Sequence, residues 1–175
     1  MTHDQRWAGL LRAVNVGGRT LTMATLKKSA NDAGFTEVAT LLASGNLTFT
    51  AQGSRQSVRE RLERAITADA GFNVEVLLRS KSELRRLVET NPFPDSNPSH
   101  VIVYFMDGPA PAELEQRLAE VAVDERVRLA GHELWVDFGG GMARSPLATK
   151  LPRLARPLLV TGRNVNTVGK LAAKL

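Results

Sequence analysis

The residues best suited to chemistry lie in one short stretch near the start of the chain, LLRAVNVGGRTLTM at Leu10–Met23. Asparagine and arginine side chains donate hydrogen bonds to oxyanions, and glycines let a ligand approach the backbone. Five residues of the stretch supply this combination: Arg12, Asn15, Gly17, Gly18 and Arg19. The pattern predicts one wall of a site for a phosphorylated or otherwise anionic small molecule. The alternative interpretation is that the glycine pair only makes a turn.

A second stretch of the same character lies near the end of the sequence, at Thr161–Thr167. Three of its residues are suited to form the opposite wall of the site: Arg163, Asn164 and Asn166. Both stretches adjoin predicted helix starts, where backbone N–H groups are available to an anion. We therefore expect the two stretches to meet around an anion on one basic surface.

The elements that must position these residues follow from the spacing of apolar side chains. In the first eighty residues the pattern predicts strand, helix, strand, strand, helix, strand. The predicted strands are Trp7–Val14, Val38–Leu42, Leu47–Thr50 and Val74–Leu78, with helices at about 23–33 and from Ser54 or Ser57 to Gly71. Between the middle strands, Ser44–Asn46 predicts a hairpin turn.

The second half of the chain repeats most of this order. A capping box of Ser80 with Glu83 opens a connecting helix, and the segment 91–99, rich in proline and asparagine, is the best linker. After it we predict a strand at Val101–Met106, helices at Pro111–Ala122, from Ser145–Pro146 and from about Asn166, and a hairpin of Arg126–Ala130 with Glu133–Phe138. The sequence thus predicts an α+β protein of two ferredoxin-like (β-α-β-β-α-β) halves with antiparallel sheets, residues 1–91 and 92–175.

Four segments together resemble one known family. They are LLRAVNVGG near the start, SGNLTF at Ser44–Phe49, the triplet Asn91–Phe93, and GRNVNTV near the end. Their order and spacing are similar to a bacterial family of unknown function, number 1697 among the domains of unknown function. That family usually opens LLRGINVGG, so Ala13 replaces a glycine, and Val165 replaces its usual tryptophan. The resemblance identifies motif positions but implies no activity. Because Val165 replaces the tryptophan, this chain has no ring for stacking at that position.

Composition narrows the function classes. The chain has 175 residues, 43% of them hydrophobic, and no cysteine. Disulfides, thiol catalysis and thiolate metal sites are therefore excluded, and three scattered histidines predict neither a metal site nor a cofactor. No apolar run reaches signal-peptide length or the ~18 residues of a membrane span. We expect a cytoplasmic protein without membrane contact.

The positive charge is concentrated at one end of the sequence. The net charge is +5, and from Phe138 to Leu175 there are seven basic residues and no acidic one. Such a tail attracts anions, including single-stranded nucleic acid, which ferredoxin-like sheets often carry. Trp135 and Tyr104 are the only strand rings that we expect to be exposed for base stacking.

Other functions stay open at this point. Ala13–Thr20 approximates the phosphate-cradling loop of nucleotide hydrolases, although Ala13 and Arg19 depart from its glycine and lysine. Ser44 lies in a turn, and neither His100 nor His132 is tied to it by a motif. The sequence identifies no catalytic residue and sets no oligomeric state. A structural or interaction protein, whose motifs lock the two halves together without a ligand, is the remaining alternative.

Overall fold

The protein, for which a computed structural model describes residues 4–42 and 45–175, folds as two compact units. Unit 1 contains the described residues up to Arg85 together with Leu171–Leu175, and unit 2 is Arg86–Lys170. The division falls inside a helix, before the boundary expected at residues 91 and 92. The end of the basic tail thus belongs to unit 1.

Unit 1 has the predicted β-α-β-β-α-β order. Its elements are β1 (Gln5–Arg12), α1 (Met23–Asp32), β2 (Thr36–Leu41), β3 (Asn46–Ala51), α2 (Arg55–Ala70) and β4 (Glu75–Ser80), after which α3 (Lys81–Glu89) begins. The strands form one antiparallel sheet in the order β2-β3-β1-β4. In its register Trp7 lies opposite Phe49 on one side and Ser80 on the other.

Unit 2 repeats this architecture. It contains β5 (Val101–Met106), α4 (Leu114–Ala119), β6 (Arg126–Ala130), β7 (Glu133–Asp137), α5 (Pro146–Leu154) and β8 (Val160–Asn164). Helix α6 (Val165–Lys174) follows, and its residues from Leu171 on belong to unit 1. The sheet is antiparallel in the order β6-β7-β5-β8. The prediction of two ferredoxin-like halves is confirmed. Strand β8 was not predicted as an element, and α4 is shorter than the helix expected at 111–122.

Each unit has its own hydrophobic core, because alternate strand residues and every third or fourth helix residue are apolar. In unit 1 the core cluster includes Trp7, Leu11, Leu26, Leu47, Phe49 and Leu62. In unit 2 it includes Ile102, Tyr104, Leu118, Leu134, Val136, Leu147 and Leu151. In both units the cluster joins alternate strand residues to residues of the helices, which leaves the intervening strand residues on the other face of the sheet.

Local sequence signals set the element ends. Thr22, Ser54 and Ser145 cap their helices by accepting a backbone N–H three residues on, and Gly71 ends α2 in the left-handed region. The predicted capping box is present, because Ser80 N–H donates to Glu83 Oε2 at 2.7 Å and Glu83 N–H to Ser80 Oγ at 3.3 Å. The Gly131 turn joins β6 to β7 as expected, whereas Ser44 lies outside the described residues.

The sheet topology argues against the nucleotide-hydrolase alternative. That fold needs a parallel sheet and a helix directly after its phosphate loop. Here β1 and β5 belong to different sheets, and both described sheets are antiparallel. Helix α1 begins only at Met23. The resemblance of Ala13–Thr20 to a phosphate-hydrolysing loop therefore does not extend to its structure.

Candidate functional site

The first predicted stretch forms an exposed loop between β1 and α1. Residues 15–20 are all exposed, and the loop turns through left-handed backbone conformations. These are Ala13 (φ +52°), Asn15 (φ +57°), Gly17 (φ +58°) and Gly18 (φ +82°). A Cβ at either glycine would meet no atom within 4 Å. Backbone conformation, and not crowding, therefore explains the glycine pair.

Two of the five predicted residues in this stretch are used to hold unit 1 together. Asn15 Oδ1 accepts the Leu21 N–H at 2.7 Å, and Arg12 forms an ion pair with Glu75 at 2.6 Å. Arg19 is exposed, and its guanidinium lies 5.3 Å from the centre of the Phe72 ring, a cation–π contact. Arg19 is thus the cation of this loop that is best placed to meet a ligand.

The turn after β2 explains part of the second family segment. Gly45 has φ +75°, its carbonyl accepts the Leu11 N–H at 2.8 Å, and a Cβ there would lie 2.6 Å from Val14 Cγ2. Asn46 is fully buried and donates to the Leu41 carbonyl at 2.9 Å. This segment therefore joins two parts of the unit 1 sheet, which is a structural role.

Arg163 differs most from expectation, because it is 7% exposed and not part of an open basic surface. Along β8 the side chains alternate, and Thr161 and Arg163 occupy the sheet face opposite the helix-packed core. The Arg163 guanidinium donates to Thr161 Oγ1 at 2.8 Å and to the Gly162 carbonyl at 2.7 Å. Burial lowers its pKa to about 10, so it remains a cation at neutral pH.

The two asparagines of the tail stretch have separate contacts. Asn164 Oδ1 accepts the Thr167 N–H at 2.9 Å, which caps α6. Asn166 is exposed, and its Nδ2 lies 3.1 Å from Ser99 Oγ. Because Ser99 lines the cavity described next, Asn166 is the predicted residue that lies beside it. A meeting of the two predicted stretches around one anion stays a prediction.

An open cavity of about 490 Å³ lies within unit 2, and we call it the His100 cavity. Its lining residues are Ser99, His100, Ile102, Phe138, Gly140, Gly141, Met142, Ala143 and Arg144. The lining combines apolar side chains with a guanidinium, an imidazole, a hydroxyl and a glycine run. No acidic side chain belongs to this lining. The chemistry of the cavity therefore suits an anion with an apolar part.

His100 is held in a defined orientation. Its Nδ1 lies 2.6 Å from the Gly139 carbonyl oxygen, and its own backbone carbonyl accepts the Phe138 N–H at 3.0 Å. Gly139 in turn donates its N–H to Asp137 Oδ1 at 2.9 Å. The loop that follows β7 is thus connected to the start of β5 through the histidine.

Asp137 anchors this region on its other side. Its Oδ2 accepts hydrogen bonds from Ser96 Oγ at 2.7 Å and from the Arg126 guanidinium at 2.6 Å. The Arg126 guanidinium also lies 4.7 Å from the centre of the Phe93 ring. Burial alone would raise the pKa of Asp137, but these hydrogen bonds and that of Gly139 lower it below its usual value. The predicted linker 91–99 is therefore bound to unit 2.

Another cavity, of about 520 Å³, lies in unit 1 and has the opposite charge character. It is lined by Glu60, Glu63, Arg64, Thr67, Asn73, Val74 and Glu75. Three carboxylates and one guanidinium do not suit an anionic ligand. Among the described residues, no group of three histidine or acidic side chains is arranged to hold a metal ion.

The expectation of exposed rings on the strands is wrong. Trp135 is 1% exposed and Tyr104 is 7% exposed, since Tyr104 faces the core of unit 2 and both rings lie on central strands of its sheet. Burial raises the pKa of Tyr104 to about 12. Neither ring can serve as a platform for a nucleic-acid base in this fold.

Sequence reasoning missed the residues of the His100 cavity. His100 was considered only as a partner for Ser44, and Arg144 only as one charge of the basic tail. The available signal was the run of three glycines at 139–141 directly after a predicted strand, followed within three residues by an arginine. Such a run after a strand permits close approach of a ligand to the backbone.

The comparisons with known proteins agree with this architecture. The fold defines an α+β protein of two ferredoxin-like units, and the family described as "Protein of unknown function (DUF1697)" matches residues 5–135. The chain belongs to that family. It is similar to a solved structure, the conserved bacterial protein SP0830 from Streptococcus pneumoniae, with 23% identity and a TM-score of 0.74 over 98% of this chain and 99% of that one. No curated protein matches the chain.

One further structural finding concerns membranes. Within the ranges 4–42 and 45–175, none of the helices has the length and apolar character needed to cross a bilayer.

Proposed function

We propose that the protein binds a small anionic ligand, such as a phosphorylated metabolite, in the His100 cavity of unit 2. The single observation that carries this proposal is the position of Arg144 in the lining of an open cavity that has no acidic lining residue. The ligand class is the one predicted from the sequence, but the cavity supplies a different set of contacts.

The charge of Arg144 is available to a ligand. Arg144 is exposed, and no acidic residue in the described ranges forms an ion pair with it. By contrast, Arg126, the arginine at the start of β6, is paired with Asp137. A guanidinium beside a cavity binds phosphate or carboxylate through paired hydrogen bonds. Arg144 therefore provides the main attraction for an anion here.

The glycine run supports close contact with the ligand. A Cβ added at Gly140 would meet no atom within 4 Å, so its missing side chain leaves backbone exposed at the cavity wall. Gly141 has φ +106°, and a Cβ there would lie 4.0 Å from His100 Nε2. A larger residue at 141 would be strained and would project toward the histidine.

The predicted site residues take part to different degrees in this proposal. Asn166 adjoins the cavity through Ser99, whereas Arg163 and Asn164 support the local structure of unit 2. For unit 1 we propose Arg19, with the exposed backbone of Gly17 and Gly18, as a second and separate contact for anions.

A thermal-shift screen of phosphate, nucleotides and sugar phosphates tests the proposal. Wild-type protein should be stabilised by at least one anion, and Arg144→Ala should weaken its affinity about ten- to a hundredfold, because a charge-assisted hydrogen bond is lost. Arg153→Ala is the matched control, since Arg153 is an exposed cation of the same tail outside the cavity. Arg19→Ala tests the unit 1 loop separately. Stabilisation that survives Arg144→Ala in a protein that also carries Arg19→Ala, or no stabilisation by any anion, overturns the proposal.

Single-stranded nucleic acid is the second candidate, supported by the exposed cations of the tail in unit 2: Arg144, Lys150, Arg153, Arg156 and Lys170. Contacts from such side chains to phosphates would give weak binding that falls steeply with salt. Replacing Arg153, Arg156 and Lys170 together should flatten the salt dependence. Titration with single-stranded oligonucleotides at low salt measures it, and no binding there removes this candidate.

A further inference from the structure

We infer that the ligand of the His100 cavity carries a hydroxyl group beside its anionic group, and that this hydroxyl donates a hydrogen bond to Nε2 of His100. The inference rests on the proposed anion site and specifies the class of its ligand. It is carried by the contact between His100 and the Gly139 carbonyl, together with the place of His100 in the cavity lining.

The first step concerns the tautomer of His100. A carbonyl oxygen only accepts hydrogen bonds, so the Nδ1 that lies 2.6 Å from Gly139 O must carry the proton. In a neutral imidazole the other nitrogen then holds a lone pair. In this neutral form His100 Nε2 is a hydrogen-bond acceptor.

The second step concerns the stability of this orientation. The Gly139 peptide is fixed by its N–H to Asp137 Oδ1 at 2.9 Å, and the next turn is closed by the Gly141 N–H to the Phe138 carbonyl at 2.8 Å. Asp137 is itself held by Ser96 and Arg126. The carbonyl that selects the tautomer is thus part of a connected network, and the imidazole is oriented before a ligand arrives.

The third step concerns what Nε2 meets. It lies 4.0 Å from the position of a Cβ on Gly141, a lining residue, so this nitrogen is directed toward the glycine wall of the cavity. In the ranges 4–42 and 45–175 no protein group donates a hydrogen bond to it. The acceptor is thus available to a ligand.

These steps separate two parts of the ligand. An oxyanion has no proton to offer to a neutral acceptor, so it is attracted to Arg144 and not to His100 Nε2. A hydroxyl donates to Nε2, and Ile102 and Phe138 provide apolar wall for the adjoining carbon atoms. Hydroxylated phosphate esters and hydroxy acids share this combination of groups.

The experiment compares matched ligands by titration calorimetry at about pH 8. Glycerol 3-phosphate and propyl phosphate differ in their hydroxyl groups, and lactate and propionate form the corresponding carboxylate pair. Wild-type protein should prefer the hydroxylated member of at least one pair by about three- to tenfold, the range expected for one neutral hydrogen bond. The pair that shows the preference identifies the phosphate or the carboxylate as the source of charge.

Variants assign the preference to His100. His100→Asn keeps an amide donor near the Gly139 carbonyl and removes the Nε2 acceptor. It should therefore abolish the preference for the hydroxylated ligand without lowering the affinity for the ligand that lacks hydroxyls. His100→Ala, which also removes the Nε2 acceptor, serves as the second variant if thermal unfolding shows that His100→Asn is not folded. His132→Asn is the control, because His132 is an exposed histidine outside the cavity.

The outcomes separate this inference from the proposed function. Equal affinity for both members of each pair, or a preference that survives in a folded variant without the His100 imidazole, overturns the hydroxyl inference and leaves the anion site standing. If none of the four compounds binds wild-type protein while other anions do so through Arg144, the hydroxyl inference is likewise overturned. If no anion binds at all, the proposed function fails and the inference fails with it.

Discussion

Asn15 Oδ1 accepts the backbone N–H of Leu21 at 2.7 Å, and this contact closes the exposed loop between β1 and α1. Asn15 has φ +57°, a conformation that asparagine tolerates better than most residues. Leu21 is 2% exposed and belongs to the core of unit 1. The asparagine of this family segment therefore connects a ligand-accessible loop to the buried residue that precedes the α1 cap.

The first prediction is that Asn15→Ala lowers the free energy of unfolding by about 1–3 kcal/mol. The reason is that the partly buried Leu21 N–H loses its acceptor, which costs roughly this much. Urea unfolding measures the loss, and amide hydrogen exchange should show faster exchange at Leu21. Asn15→Asp is the matched control, because a carboxylate retains the acceptor. Unchanged exchange at Leu21 in Asn15→Ala would contradict the structural role of this side chain.

The second prediction is that Ala13→Gly stabilises the protein by about 0.5–1 kcal/mol. Ala13 has φ +52°, and a left-handed conformation costs a residue with a Cβ about 1–2 kcal/mol. Glycine avoids this cost, but it also increases the conformational entropy of the unfolded chain, which offsets part of the gain in stability. This also explains the glycine that the family usually has at the same position.

Gly18→Ala provides the opposite test for the same loop. Gly18 has φ +82°, and an added Cβ would meet no atom within 4 Å, so only backbone strain is introduced. We expect a loss of about 1 kcal/mol in urea unfolding. Destabilisation by Ala13→Gly as well would contradict a left-handed backbone conformation at Ala13.

The sequence was sufficient to predict the helices and strands that are determined by short local patterns, such as apolar runs and helix caps. The continuous apolar run VIVYFM gave Val101–Met106 its observed bounds, and Ser145 with Pro146 marked the start of α5. These signals depend on neighbours within a few residues, so no knowledge of the tertiary fold is needed. The order of elements then restricted the fold to two antiparallel units.

Strand β8 could not be predicted from the sequence because the contacts that stabilise it are tertiary. Its sequence VTGRN contains one strongly apolar residue, and Arg163 is of a type that is rarely buried. Gly162 is explained by close approach, since a Cβ there would lie 2.9 Å from Tyr104 Cε1 and 3.0 Å from Ile102 Cγ2. These contacts form only because β8 pairs with β5.

The His100 cavity was not predicted from the sequence. The sequence predicted an anion site formed by arginine, asparagine and glycine residues of the two family segments. The structure shows instead that several of those polar groups satisfy backbone groups of their own unit. The His100 cavity depends on the Gly139 carbonyl meeting a histidine 39 positions away, which no local pattern reveals.

The third prediction is that Asn164→Ala destabilises the protein by about 1 kcal/mol and leaves anion affinity unchanged. Asn164 caps α6 through the Thr167 N–H at 2.9 Å, and loss of such a cap costs about this much. Asn164→Ser should recover most of the stability, because serine is also a good N-cap. Urea unfolding and phosphate titration measure the two effects, and weaker phosphate binding by Asn164→Ala would assign this residue to the ligand instead.

The last prediction concerns Tyr104, the single tyrosine of the chain, whose ring is 7% exposed. Burial disfavours the phenolate and raises the pKa from 10.0 to about 12. Because the folded-state pKa is the higher one, the stability linked to this group is complete below about pH 10. It is lost as the pH rises toward about 12, by an amount on the order of 2–3 kcal/mol.

The ultraviolet absorbance of the phenolate reports this titration directly. We expect little phenolate at about pH 10–11 while circular dichroism shows an intact fold, and an immediate rise in absorbance when denaturant unfolds the protein at that pH. Tyr104→Phe should remove the absorbance change and reduce the loss of stability in alkali, with urea unfolding at neutral pH as its control. A titration midpoint near 10 in the folded protein would show that the Tyr104 hydroxyl is in contact with water and does not face the core of unit 2.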